Sequence, residues 1–240
     1  MVDSGAFSAW SRGERIELAA LSDAFASLLD SYSDCCEFVL INLDVVPGSK
    51  SVDPSPDEVA CAMNESQDNF VRLNRRFEGL VLPVYHQEEP QGYFERLAFE
   101  CGYIALSPRN DLHEVERLDF VKEVENGPLS QHMKFHGLAT TGLAMMSAIR
   151  WESVDSATWI HTAANGNIFW YVGTEAPRPL PISSRSPKRE QGGYHFDNHS
   201  DAGKRSMLEV IETRGYVLSD LQTSDTARYK WNAEVWLDLQ

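Results

Sequence analysis

Short apolar, β-branched runs alternate with longer amphipathic stretches along most of this chain. The first clear run is 37–43 (EFVLINL). A loop of Pro, Ser and Asp follows, then helical spacing over 56–76, where SPDE supplies a cap, a proline at the start and early acids. Further runs lie at 80–85 (LVLPVY), 103–106, 133–138, 151–154 and 168–172, separated by helical stretches at 91–100, 112–125 and 141–149. Such βαβα alternation predicts an α/β fold with a parallel sheet, either open and doubly wound or closed into a barrel. Two details favour the barrel. No GxGxxG turn and no GxxxxGKS/T loop follows any run, which removes the usual nucleotide-site marks of open sheets. Polar residues instead stand at the C-terminal ends of several runs: Asp3, Asp44, His86, Ser107, His136 and Asp155. In a barrel these ends converge on one mouth, where catalytic groups belong.

The expected architecture is therefore a TIM-like (β/α)8 barrel with a very short first run, Met1 and Val2 ahead of Asp3, so that it is either incomplete or shortened at the N-terminus. A chain of 240 residues suits one such domain spanning 1–240. After a turn-rich basic loop at 178–189, helices at 201–214 and 217–237 make a helical tail over 201–238, with no further strong strand.

Composition narrows the function. Lys and Arg number 21 against 36 Asp and Glu, a net charge of −15, which argues against loose, sequence-blind binding of polyanions. Any nucleic-acid contact must be local, and Arg178, Arg185, Lys188 and Arg189 cluster in an otherwise acidic chain. They could hold phosphates, or simply be solvated loop residues. The cysteines, Cys35, Cys36, Cys61 and Cys101, show neither zinc-finger spacing nor a disulfide pattern. The histidines form no HExxH, so no metal is expected. With no apolar stretch long enough for a membrane span and no signal-like N-terminus, a cytoplasmic protein without membrane partners is expected.

Carboxylates at a barrel mouth, here Asp3, Asp44 and Asp155, serve as nucleophile, general base or acceptor for the N–H edge of a base, although each Asp could equally cap a turn. His86 and His136 are candidate acids, bases or ligands. Gly137, Leu138 and Ala139 follow a run end, where glycine either admits a planar ligand onto the backbone or makes a tight turn.

The strings VDSGAFSAW, INLDVVPG, LPVYHQEE, CGYIALSP, KFHGLATTG and WESVDSATW, in this order, resemble the tRNA-guanine transglycosylase (queuine tRNA-ribosyltransferase) superfamily over about 2–172, most of all its zinc-free phage and bacterial relatives that insert 7-deazaguanines into DNA. The resemblance implies a pentosyltransferase that exchanges guanine for a preQ0-like 7-deazaguanine without breaking the polymer and without a cofactor. It implies that Asp155 is the nucleophile at C1′, that Asp3 is the general acid/base, and that Asp44 accepts hydrogen bonds from the base. Gly137, Leu138 and Ala139 would then supply backbone contacts to the base, with His86, His136 and Tyr103 lining its pocket. Two carboxyl groups suffice for such chemistry, as in retaining glycosidases. Flat side chains near the motifs, Phe7, Tyr103 and Trp159, suit a base taken out of its stack. The superfamily's tRNA enzymes carry a CxCxxC zinc site, whereas this chain has no cysteine after Cys101, so DNA is the expected polymer. The alternatives are the same exchange on tRNA, a non-catalytic barrel that binds a deazaguanine or a partner protein, and a hydrolase of free nucleosides.

Overall fold

The computed structural model describes all residues except 50–51, 141, 156, 172–176, 191, 193 and 239–240, and the side chain of Leu143. Thr141 of the expected helix 141–149, Ser156 of the last motif, Val172 of the run 168–172, and Gln191 and Gly193 of the turn-rich segment lie outside the described residues. The chain divides into two compact units, Met1–Asp155 and Ser156–Gln240.

The first unit contains α1 (Ala6–Ser11), α2 (Leu18–Tyr32), β1 (Leu40–Ile41), α3 (Pro56–Arg76), β2 (Val81–Leu82), β3 (Val84–His86), α4 (Gln91–Glu100), β4 (Tyr103–Ser107), α5 (Glu114–Asn126), β5 (Lys134–Gly137), α6 (Leu143–Met146) and β6 (Ser153–Val154). Every strand pair in it is parallel. Val2 bridges Leu40, β1 pairs with β2, and β3, β4, β5 and β6 follow side by side. Only Pro83 separates β2 from β3, and its carbonyl still accepts from Ala105 N–H, so 81–86 is one path whose ladder is interrupted where proline lacks a donor. Neighbours therefore follow chain order without the reversal that marks a doubly wound sheet.

Helix α3 starts where the sequence expects, because Ser55 and Glu58 form a reciprocal capping box ahead of Pro56. Its apolar face, with Phe70 and Leu73, packs with Phe25 of α2, Leu40 and Phe77. A second cluster joins Tyr85, Phe94, Leu97, Ile104, Leu106, Val121 and Phe135 beneath α4 and α5.

Several expectations change. Helix α2 was not expected, although Leu18, Leu21, Phe25 and Leu29 carry its period. The helix expected at 141–149 shrinks to α6, because the Met145 carbonyl accepts from Ala148 N–H and from the Trp151 indole rather than from the amide an α-helix would use. The run at 168–172 is not another parallel strand. It becomes β7 (Asn167–Trp170) in the second unit, antiparallel to β8 (Arg178–Pro181), since a link of 171–177 is too short for a parallel crossover, which needs a dozen residues or more. The basic loop thus opens as a strand. The described residues form an α/β protein with parallel strands but no closed eight-stranded barrel.

The second unit also holds α7 (Thr158–Ala164), α8 (Asp201–Thr213), α9 (Leu218–Thr223) and α10 (Asp225–Leu237). The helix expected over 217–237 is divided at Ser224, whose extended backbone and side chain cap α10. Ile168, Leu180, Phe196, Ile211 and Trp231 form this unit's core. Asn232 accepts from Phe169 N–H at 2.7 Å and Trp231 donates to the Phe169 carbonyl at 2.8 Å, which satisfies the edge of β7.

Candidate functional site at the strand ends

Asp44 follows β1 by a short extended stretch that α3 holds in place. Asn42 donates to the Ser66 carbonyl at 2.9 Å, Ser66 Oγ accepts from Val45 N–H at 2.8 Å, and Asn69 donates to the Leu43 carbonyl at 2.9 Å. Asp44 itself is buried, and its Oδ2 lies 2.9 Å from His86 Nε2 at the end of β3. Burial alone would push the imidazole down. The hydrogen bond to Asp44 and the charges of Asp44, Glu89 and Glu88 outweigh that and raise its pKa. One oxygen of Asp44 is thus engaged by the protein, and no described residue bonds the other.

Glu89, 4% exposed, completes this group. Its Oε2 accepts from His86 N–H at 2.8 Å, its carbonyl accepts from the Tyr85 hydroxyl at 2.9 Å, and its Oε1 has no partner among the described residues. Burial is the main cause of a carboxyl pushed up to about 7, with Asp44 and Glu88 adding to it against the pull of His86.

Asp155 follows β6 and faces the turn after β5. Its Oδ1 accepts from Ala139 N–H at 2.9 Å, and its Oδ2 lies 3.7 Å from His136 Nε2, beyond hydrogen-bond reach. Partial burial works to raise its pKa, but His136 and the Ala139 N–H prevail and hold it below the usual carboxylate range. Its side chain remains 48% exposed. His136 is 1% exposed, and its Nδ1 meets Ser153 Oγ at 2.7 Å, which in turn meets the Tyr103 hydroxyl at 2.6 Å. Parallel pairing of His136 with Ser153 in register makes this chain of contacts possible.

Asp3 follows the Val2 bridge and accepts from Gly5 N–H at 3.3 Å; Gly5 has φ 78°, the left-handed conformation that glycine adopts without strain. Desolvation is the largest cause of a raised Asp3 pKa, countered by the Gly5 N–H and added to by the charges of Asp155 and Asp44. The structure thus brings Asp44 and Asp155 each within electrostatic reach of Asp3, with His86 against Asp44 and His136 near Asp155.

Gly137 answers one open alternative. A Cβ there would lie 2.0 Å from Thr140 Oγ1 and 3.1 Å from the Trp151 ring, so the fold's own packing demands glycine. Ala139 carries the strained element of this turn, with φ 53°; its carbonyl accepts from Arg117 at 3.3 Å. Leu138 is half-buried against the cluster of Ile41, Leu82, Val84 and Ala105, whereas Ala139 is exposed.

The second unit carries the basic residues. Arg178 lies exposed on β8, and Arg185 and Lys188 are exposed in the following loop. Arg189 is paired with Asp197 at 2.6 Å. Trp159 packs edge-on with Tyr229 in this unit, and Phe7 is exposed beside Trp10. Sequence reasoning missed Glu89, Ser153, Thr140 and Arg117. Of these, Ser153 had a readable signal, standing two residues before Asp155 on the same strand path.

Among the described residues, no group of three or more His, Cys, Asp or Glu side chains is gathered as a metal site requires, and no helix is long and apolar enough to cross a membrane. Fold and site together define a parallel α/β protein with a carboxylate cluster at its strand ends. No family model and no curated protein matches the chain.

Proposed function

We propose that this chain is a base-exchange transglycosylase that replaces guanine by a preQ0-like 7-deazaguanine in DNA, built on part of a (β/α)8 barrel. The reading rests on the electrostatic coupling of Asp3 with Asp155. Asp3 follows the first parallel strand position and Asp155 the last, five positions apart in neighbour order. In a flat sheet with strands about 4.8 Å apart, these ends would stand over 20 Å from each other. Coupling between them is what a sheet curling toward closure produces, with the strand ends converging on one mouth.

The two carboxyl groups are also pushed in opposite directions, which is how one site assigns different roles to like residues. Asp155, held ionised and half-exposed, attacks C1′ of the target nucleotide as the bond from C1′ to guanine N9 breaks. Asp3, with its raised pKa, gives its proton to the departing guanine. The incoming deazaguanine then loses its N9 proton to Asp3 and attacks C1′, releasing the Asp155 carboxylate. The free oxygen of Asp44 accepts from the base, with His86 fixing the side chain, and the exposed Ala139 backbone borders the same turn as Asp155. DNA is preferred to tRNA because the six motifs resemble the zinc-free relatives.

Incubation of the purified protein with labelled guanine and, separately, duplex DNA, single-stranded DNA and tRNA tests the proposal. Label should enter DNA, and a denaturation-resistant adduct should map to Asp155. Asp155→Asn should abolish the adduct, because a neutral amide is a poor nucleophile. Asp3→Asn should slow exchange by about 10² to 10⁴ while leaving adduct detectable, the usual worth of proton transfer. No label in any polymer, or an adduct mapping to Asp3 or Asp44, overturns it.

A further inference from the structure

Within the first unit, on the side of the Asp44, His86 and Glu89 group where α4 and α5 lie, is a cavity of about 480 Å³, within the size range of small-molecule sites. Tyr85, Phe94, Phe120, Val124 and Leu129 give it an apolar lining, and its charged lining residues are all acidic: Glu89, Glu95 and Glu123. Among the described residues, no Lys, Arg or His lines it. Its deepest acid, Glu89, is nearly inaccessible and has an unpartnered oxygen, an arrangement that leaves a buried acceptor unsatisfied in the protein alone. Glu95 and Glu123 are exposed at the rim, and Gln91 donates to Glu95 at 3.3 Å.

We propose that this cavity binds a linear aliphatic diamine or polyamine. One ammonium satisfies Glu89, the methylene stem lies along the aromatic and aliphatic lining, and the second ammonium sits between Glu95 and Glu123. An ammonium fits better than a guanidinium. Oε2 of Glu89 is taken by the His86 N–H, so a single oxygen remains, and a planar fork needs two. Two levels of negative charge separated by an apolar lining favour a cation at each end of a stem over a single cation, and ring faces add attraction for ammonium groups. This inference goes beyond the transglycosylase reading and stands without it.

Calorimetric titration of the full chain with putrescine and spermidine at mildly alkaline pH and near-physiological salt tests it, with butanediol as the uncharged comparator. One saturable site per chain is expected for the amines and none for the diol. Glu89→Gln should weaken binding about tenfold or more, the worth of a buried charged hydrogen bond. The paired rim variant Glu95→Gln/Glu123→Gln should weaken it by about two- to tenfold, since exposed ion pairs count for less. Asp68→Asn/Glu78→Gln, which removes two exposed acids away from the cavity lining, should leave affinity unchanged. Absence of a saturable site, equal binding of the diol, or the same weakening from the Asp68 and Glu78 pair as from the rim pair overturns the proposal. So does undiminished affinity in both the Glu89 and the rim variants.

Discussion

At the residue scale, the most consequential group is the buried triplet of Asp44, His86 and Glu89. His86 and Glu89 both have pKa values raised above those of an unfolded chain, so over part of the pH range the folded protein binds more protons than the unfolded one. Stability must then fall as pH rises. For Glu89 the fall runs from its ordinary carboxyl range, near 4.5, up to about 7, and for His86 it begins near 6.5. Each group adds a slope of at most about 1.4 kcal/mol per pH unit within its window. Urea unfolding between mildly acidic and mildly alkaline pH should show this decline. The charged neighbours that bear on it are Asp44, Glu88 and, through Glu88, Arg109 at 2.9 Å. Glu89→Gln should remove most of the slope below neutrality and leave the protein more stable at neutral pH than the parent, because it no longer loses a buried proton. A flat profile in the parent would show that the unpartnered carboxyl is solvated.

At the element scale, the turn linking β5 to Asp155 is the part whose geometry the site depends on. Thr140 is fully buried beneath it, and the Thr140 N–H donates to the Asp155 carbonyl at 3.1 Å while Asp155 N–H donates to the Gly137 carbonyl at 3.0 Å. Gly137→Ala should therefore destabilise the fold by about 1–3 kcal/mol through overpacking. Thr140→Ala in the same chain should recover part of that loss, because the nearest clashing atom is the threonine hydroxyl. Thermal melts of the two single variants and the double variant measure the coupling. Simple additivity would mean that the Trp151 contact, and not Thr140, sets the limit.

At the scale of the whole molecule, a net charge of −15 makes polyanion contact depend on a few cations. Arg185 and Lys188 are exposed and have no side-chain partner among the described residues, whereas Arg189 is already neutralised by Asp197. Replacing Arg185 and Lys188 with Ala should lower the salt dependence of DNA binding by roughly one unit per lost phosphate contact, and Arg189→Ala should add less. Binding measured across a salt series checks this. An unchanged slope would mark 185–189 as a solvated loop.

Local order is where sequence alone was decisive. The alternation of runs and amphipathic stretches places α3, α4 and the strands from 81 to 137, because capping boxes, prolines and side-chain period act over a few residues. The polar residues at the ends of the apolar runs were legible for the same reason, and with them the positions of Asp3, Asp44, His86, His136 and Asp155. Tertiary structure alone decided the rest. It turned β7 antiparallel and stopped α6 with the Trp151 indole, since each outcome depends on a partner or a link length outside the local pattern, whereas the break at Ser224 is a local serine cap. It also made Glu89 part of the site and gave Gly137 a packing reason. Both follow from how the turns after β3 and β5 fold back on their own strand ends, with Asp44 and Trp151 brought against them from farther away in the chain, and residue spacing alone does not specify that.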